Sequence, residues 1–370
     1  MSLETGFFMP TKVKMGTDCV QNNAAELSSF GSKALIVTGA RSAKLCGALD
    51  DVIAALSAQN KGYAVFDQVT ANPTVSCVYA GATAAKTEGA DFIIAIGGGS
   101  PMDAAKAIAL LACQDIPPER LFAGGYGETL LPMVHIPTTA GTGSEVTPYS
   151  VLTNDSIQSK MSISCPGMFP RLALLDAKYT KALPRSIALN TAVDALSHAM
   201  EGILSKRASV FSDILANESA ALIVGCFDAL KTGELTDQVR ERLLYASMLA
   251  GVVISHTGTT AVHALGYSLT YFKDVDHGRA NGLLLAAFLR HVGHVMPALA
   301  EKALRSAGYP SVGEFDRALS DILGEKEAIT PEQLELFSDI GARARSLTNC
   351  EVLLSREDVR RIYLESLMII

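Results

Sequence analysis

Four short and almost unbroken apolar runs in the first half of the chain limit its fold more than any other feature. They lie at Lys33–Thr38 (KALIVT), Tyr63–Phe66 (YAVF), Asp91–Ile96 (DFIIAI) and Leu131–Ile136 (LPMVHI), and stretches of helical periodicity at 42–59, 74–88 and 101–113 fill the gaps. A strand that is apolar at successive positions has to be covered on both faces, and connecting helices are the elements that cover it. The pattern predicts an α/β domain built on a doubly wound parallel sheet.

The second half reads differently. Eleven of the fourteen prolines fall at or before Pro184, leaving Pro297, Pro310 and Pro331 beyond it. Proline cannot donate to a helix ladder, so the later part is free to be helical. Long Ala- and Leu-rich stretches at 187–204, 210–230, 236–256 and 281–294 carry apolar residues around most of their circumference, as helices packed against one another do. The last seventy residues are more polar and read as outer helices. The expected organisation is an α/β domain over residues 1–184 and an all-α domain over 185–370, with no internal repeat and no low-complexity segment.

Composition excludes several classes of function. Hydrophobic residues make up 49% of the 370, which excludes intrinsic disorder. The net charge of −7 offers no basic surface to nucleic acid. The longest apolar run, 282–289, is far too short for a bilayer span. The opening MSLETGFFMP lacks the basic and apolar regions of a secretory signal. Seven cysteines lie scattered without a CxxC pair, which suits thiols in a reducing cytoplasm.

Two loops suggest a nucleotide. Gly97-Gly98-Gly99-Ser100-Pro101-Met102-Asp103 follows a strand and opens a helix, with Ser100 expected at the N-cap, Pro101 in the first helical position and Asp103 closing a capping box. Glycines before a cap leave backbone N–H groups uncovered at the positive end of the helix, where a pyrophosphate sits well. A tight turn with no ligand accounts for this loop equally well. His135-Ile-Pro-Thr-Thr-Ala-Gly-Thr-Gly-Ser-Glu145 follows another strand, and Thr138, Thr139, Thr142 and Ser144 offer hydroxyls while His135 reads as a core residue. Two such loops at carboxyl ends of strands in one sheet favour a nucleotide crevice.

Asp194 and His198 stand four apart on one helix face among apolar neighbours. A buried carboxylate is expensive unless it is paired or bound to a cation, and an Asp–His hydrogen bond within the helix would suffice for the pair alone. His263 and His277 extend the set to one oxygen and three imidazole nitrogens, a complete shell for Fe²⁺ or Zn²⁺. His256, His291 and His294 are weaker candidates, the last two reading as a solvated helix end.

At this point the chain resembles the iron-containing (group III) alcohol dehydrogenase family, and within it the 1,3-propanediol dehydrogenase-like members. The likeness rests on Phe8-Met-Pro-Thr, Asn72-Pro73, GGGSPMDAAKA from Gly97, IPTTAGTGSEVTPYSVLT from Ile136, DALSHAMEG from Asp194, and TGTTAVHALGYSLT through Asp276-His277-Gly278. It implies a dehydroquinate synthase-like architecture, a dinucleotide-binding α/β domain followed by an all-helical domain. It implies that Asp194, His198, His263 and His277 bind iron, with zinc an alternative. It implies a cofactor site lined by Asn72, Gly97, Gly98, Gly99, Ser100, Asp103, Thr138, Thr139, Thr142, Thr147, Val151 and Lys160, and a homodimer.

Two positions depart from the family pattern. Many relatives carry a further histidine where this chain has Tyr267, a residue that either handles a proton or only shapes the pocket. NAD-preferring relatives have an aspartate where this chain has Gly39. Its loss removes a charge that repels a 2′-phosphate, and Arg41, Ser42 and Lys44 follow at once, so NADP is favoured over NAD. The implied reaction is reversible hydride transfer between a short primary alcohol or diol and NAD(P), by a soluble cytoplasmic enzyme with no nucleic-acid or membrane partner. A metal-dependent lyase of the dehydroquinate-synthase kind is an alternative. It would need several cations to grip a polyanion, whereas 187–204 has none and only Lys273 lies between His263 and His277. A metal-free maleylacetate reductase or a nucleotide sensor would have little use for Asp194 and His198.

Overall fold

The computed structural model describes residues 6–154 and 159–370; the start of the opening segment and residues 155–158 lie outside this range. The chain forms two compact units, one over Met9–Leu183 and the other over Pro184–Ile370 together with the described residues before Met9.

The first unit is built on a parallel sheet. Its strands are β1 (Lys12–Met15), β2 (Lys33–Thr38), β3 (Gly62–Phe66), β4 (Phe92–Gly97), β5 (Met133–Pro137) and β8 (Leu172–Leu175), ordered β1-β8-β5-β4-β2-β3, while β6 (Tyr149–Asn154) and β7 (Ser159–Ser164) form an antiparallel hairpin apart. Side-chain alternation divides each central strand between two cores. Leu35, Val37, Ile93 and Ala95 face helices Val75–Glu88 and Gly99–Cys113, whereas Ala34, Ile36, Ile94 and Ile96 face helix Ala48–Ala58. Both faces are therefore covered, which is why β2 and β4 are apolar at nearly every position.

The sequence reading departs from the structure where glycine or short length intervenes. The stretch 42–59 is two helices, Ser42–Leu45 and Ala48–Ala58, because Gly47 sits between them at φ 80°. Strands β1 and β8 escaped notice because four residues carry too little pattern. The Gly97 turn is also built differently: the helix opens at Gly99 with Gly98 at its N-cap and no side-chain cap. Ser100 is inside that helix, so the expected capping box does not form.

In the second unit helix Arg185–Ile203 is buried over almost its whole length from Ala188 onward. Helices Val210–Val224, Asp237–Thr257 and His277–Val295 pack around it. The stretch 210–230 breaks after Val224 and resumes at Phe227. Helices Pro297–Ser306, Val312–Leu323, Pro331–Ala342 and Arg356–Ser366 follow. The unit is helical apart from the two-residue strands β9 (Ala328–Ile329) and β10 (Met368–Ile369), which pair in parallel. His291 is no solvated end: it is buried, with Nδ1 3.7 Å from Asp358. No single helix among the described residues is long and apolar enough to cross a membrane.

Candidate active site

In the helical unit, three helices bring the candidate ligands together. Asp194 and His198 come from helix Arg185–Ile203, His263 from the first turn of helix Ala261–Lys273, and His277 is the first residue of helix His277–Val295. Asp194, His263 and His277 each offer a ligand atom, and these atoms lie within 4.8 Å of one another. Asp194 Oδ1 is 3.5 Å from His263 Nε2 and 3.8 Å from His277 Nε2. His198 lies one turn along from Asp194, its ring stacked on that of His263 with centroids 4.5 Å apart. Tyr267 stacks on His277, with ring centroids 5.5 Å apart.

The local sequence explains this convergence. Asp276 Oδ2 accepts a 2.6 Å hydrogen bond from Asn190 Nδ2, which ties the start of the His277 helix to the Asp194 helix. Gly278 lets the two backbones meet: a Cβ there would lie 1.8 Å from the Asn190 carbonyl oxygen. The run Asp276-His277-Gly278 is thus an anchor, a candidate ligand and a close contact in succession.

Two further polar residues support the cluster. Glu201 is fully buried, three residues beyond His198 on the same helix face, and its Oε2 pairs with His263 Nδ1. Its Oε1 accepts from the amides of Thr260 and Val262 at 3.1 and 2.8 Å, so it caps the Ala261–Lys273 helix from a distant part of the chain. Asn281, one turn after His277, donates to Asp194 Oδ1 at 2.9 Å. Sequence reasoning passed over both, although the spacing 194, 198, 201 puts Glu201 on the Asp194 face, and an acid in an apolar helix is itself a signal.

Charge in this setting is strongly coupled. Burial alone would raise Asp194, but His198, His277 and His263 hold its carboxyl far below the usual range. Burial would lower His263, but Glu201 and Asp194 override it and push it up to about 9. His263 Nε2 is buried and makes no hydrogen bond. An oriented, unbonded imidazole nitrogen beside a carboxylate and two more imidazoles is the donor chemistry that a borderline divalent cation takes, so these residues fit a metal.

In the α/β unit the glycine turn and the hydroxyl-rich loop pack against each other. A Cβ on Gly98 would come within 3.0 Å of Thr139 Oγ1, and one on Gly99 within 2.7 Å of Thr142 Cγ2. Thr138 N donates to the Gly97 carbonyl at 2.9 Å. Asp103 is turned to the protein itself, accepting from Ser144 Oγ at 2.6 Å and from the Val151 amide at 3.0 Å. Lys106, fully buried, donates to Ser144 Oγ at 2.6 Å, Thr147 Oγ1 at 3.2 Å and the Tyr149 carbonyl at 2.8 Å. Burial pushes this ammonium down to about 8 against the pull of Asp103 and Glu145, and burial pushes Glu145 up to about 7. This polar knot locks the loop to the helix that follows the glycines. His135 is wholly buried in β5, as a core residue.

Asn72, at φ 57°, donates from its amide to Ser100 Oγ at 3.2 Å and accepts from Lys160 Nζ at 2.7 Å. Gly39 follows β2, and Arg41, Ser42 and Lys44 are exposed at the short helix after it. A flat glycine shelf at a helix start, facing threonines, fits a dinucleotide phosphate.

A group of residues that could hold a metal ion in one unit, and a glycine turn that fits a phosphate in the other, are what a metal- and nucleotide-dependent oxidoreductase requires. The family model for iron-containing alcohol dehydrogenases matches residues 10–177, and that for the family's C-terminal region matches 188–367. The lactaldehyde reductase of Escherichia coli (strain K12) is 32% identical over 291 residues, 78% of this chain and 74% of that one. The 1,3-propanediol dehydrogenase of Klebsiella pneumoniae is 35% identical over 268 residues, 70% and 68% of the two chains. An iron-containing alcohol dehydrogenase from Thermotoga maritima, known by crystal structure, superposes with a TM-score of 0.91 at 39% identity, over 98% of this chain and 99% of that one. The chain belongs to the iron-containing alcohol dehydrogenase family. It is accordingly an oxidoreductase acting on alcohols and aldehydes, of a family described as iron-containing. The sulfoacetaldehyde reductase of Bifidobacterium kashiwanohense, 28% identical with a TM-score of 0.86 over 98% of each chain, is known in complex with NAD+.

Proposed function

We propose that the protein interconverts a short primary alcohol or diol and its aldehyde with NADP as the hydride carrier, using iron held by Asp194, His198, His263 and His277. The single observation that carries this reading is the buried, unbonded Nε2 of His263 converging with Asp194 and His277. When bound, the cation supplies Lewis-acid polarisation of the substrate oxygen, and the nicotinamide takes or gives the hydride. Asp194 contributes the negative charge that offsets a cation, and Asn281 orients it. Asp194 is itself buried, at 2% exposure, so little water reaches its carboxylate. Zinc fits the same donor set, and iron is favoured by the family.

In the α/β unit we assign the cofactor to the shelf of Gly97, Gly98, Gly99 and Ser100, facing Thr138, Thr139 and Thr142, with Asn72 and Lys160 beside it. Asp103, Thr147 and Val151 act on it through the loop they hold. The preference for NADP rests on Gly39 with Ser42, Arg41 and Lys44 close after it. On this reading residues 1–184 are the dinucleotide-binding domain and 185–370 the metal-binding domain. Seven free thiols favour the cytoplasm, and the family resemblance favours a homodimer, which sedimentation would check.

The test is a panel of short alcohols and diols offered to protein loaded with Fe²⁺ without oxygen, followed by reduced-nicotinamide absorbance with NAD and NADP. Full turnover after the metal is stripped would overturn the assignment. Gly39→Asp, whose Cβ would sit 3.2 Å from the Val69 carbonyl, is expected to reverse the coenzyme preference by about tenfold or more in kcat/KM. An unchanged ratio would remove the case for NADP.

A further inference from the structure

We propose that Glu201 is a positioning residue that decides which nitrogen of His263 faces the metal centre. The inference starts from the metal-binding function proposed above and concerns how this chain prepares one ligand for it. An isolated neutral imidazole carries its proton on either nitrogen with little preference, and only the bare nitrogen can bind a cation. Something in the protein has to choose.

Glu201 has the means to do so. It is fully buried on helix Arg185–Ile203. Its Oε1 is committed: it accepts from Thr260 N at 3.1 Å, Thr260 Oγ1 at 2.7 Å, Val262 N at 2.8 Å and His263 N at 3.4 Å. A backbone N–H is always a donor, so this position demands an acceptor. Its Oε2 meets His263 Nδ1, and a carboxylate oxygen can only accept. In the neutral ring the hydrogen therefore sits on Nδ1, and Nε2, 3.5 Å from Asp194 Oδ1, is the nitrogen left bare for a cation. The same carboxylate fixes the ring about its long axis, because Oε1 is pinned by the helix start.

Two acceptors on one group are what the site requires, and a carboxylate alone among side chains of this shape supplies both. In Glu201→Gln the carbonyl oxygen stays with the backbone amides and the NH₂ turns to Nδ1. The ring answers by moving its hydrogen to Nε2, the nitrogen the metal needs. Shape and volume are unchanged; only the direction of one hydrogen bond is reversed.

The experiment uses the full chain labelled with ¹⁵N-histidine and zinc as a diamagnetic probe. In the zinc-loaded native protein His263 is expected to show a protected N–H at Nδ1 and no proton at Nε2. Glu201→Gln is expected to weaken zinc binding by about 10- to 100-fold, measured against a competing chelator. Thr260→Val disturbs the same buried pocket but leaves both carboxylate oxygens accepting, so it should stay within about threefold of native affinity. A merely structural role for Glu201 would make the two variants alike.

Native affinity and an unmoved Nδ1 proton in Glu201→Gln would overturn the proposal. If that variant does not fold, the spectrum of the zinc-loaded native protein decides: zinc on Nδ1, or a proton on Nε2, would overturn it equally. A native protein that takes up no zinc or iron would remove the metal-binding function and this inference together, whereas native binding with an indifferent glutamine variant removes the inference alone.

Discussion

Among single residues, His263 and His277 are expected to behave differently when removed, although both belong to the same cluster. The His277 side chain is 27% exposed and that of His263 is 3% exposed. His277→Ala should lose bound metal and activity while its melting temperature in chelator stays near native. His263→Ala should lose the same metal but also leave Glu201 buried without its partner, a change that typically costs about 3–5 kcal/mol. Metal content by mass spectrometry, with thermal melts of the chelated proteins, separates the two. The pH dependence follows from His263, raised from an ordinary 6.5 to about 9. Without metal, this raised group adds stability that is fully present below about 6.5 and is lost as pH rises through about 9. A cation has to displace that proton, so binding strengthens with rising pH and levels off near 9. Calorimetry in buffers of different ionisation heat should find about one proton released per zinc at pH 7.

Between elements, the meeting of helices Arg185–Ile203 and His277–Val295 is set by one missing side chain. Gly278→Ala would force a Cβ to 1.8 Å from the Asn190 carbonyl, which has no room to give. Overpacking of this kind costs about 1–3 kcal/mol. The helix start carrying His277 must move, so metal affinity should fall together with the denaturation midpoint; an alanine variant with native midpoint and affinity would show that the contact is relieved elsewhere. Strand β2 was legible to the residue, since Lys33–Thr38 needs only apolar length between turn signals. The hairpin of β6 and β7 was not, because polar residues interrupt both strands and leave no continuous apolar run. Ser100 was misread because the helix opens one residue before it, at Gly99 with Gly98 as the N-cap, which a cap-counting rule does not anticipate. Asp194 and His198 could be read as a pair from their spacing, but Asn281 could not, since its meaning depends on which helix it faces.

For the molecule as a whole, two units with separate cores are expected to respond separately to their ligands. A ligand that binds only the folded state adds about 2.7 kcal/mol at a hundredfold excess over its Kd. Stripping metal should therefore lower the calorimetric transition of the helical unit and leave that of the α/β unit in place, and NADP should raise the latter alone. A single transition moved equally by both would mean the units melt as one. The net charge of −7 opposes an anionic cofactor, so its affinity depends on local cations such as Lys160 and should fall steeply with salt. The distant cap that Glu201 places on the Ala261–Lys273 helix has a further consequence. Because one carboxylate secures both the first amides of that helix and the ring of His263, the helix end cannot fray without slackening a candidate ligand. Deuterium exchange at Thr260 and Val262 would then keep time with the escape of the ion, and the lifetime of the loaded enzyme would be governed by the opening of a single helical turn.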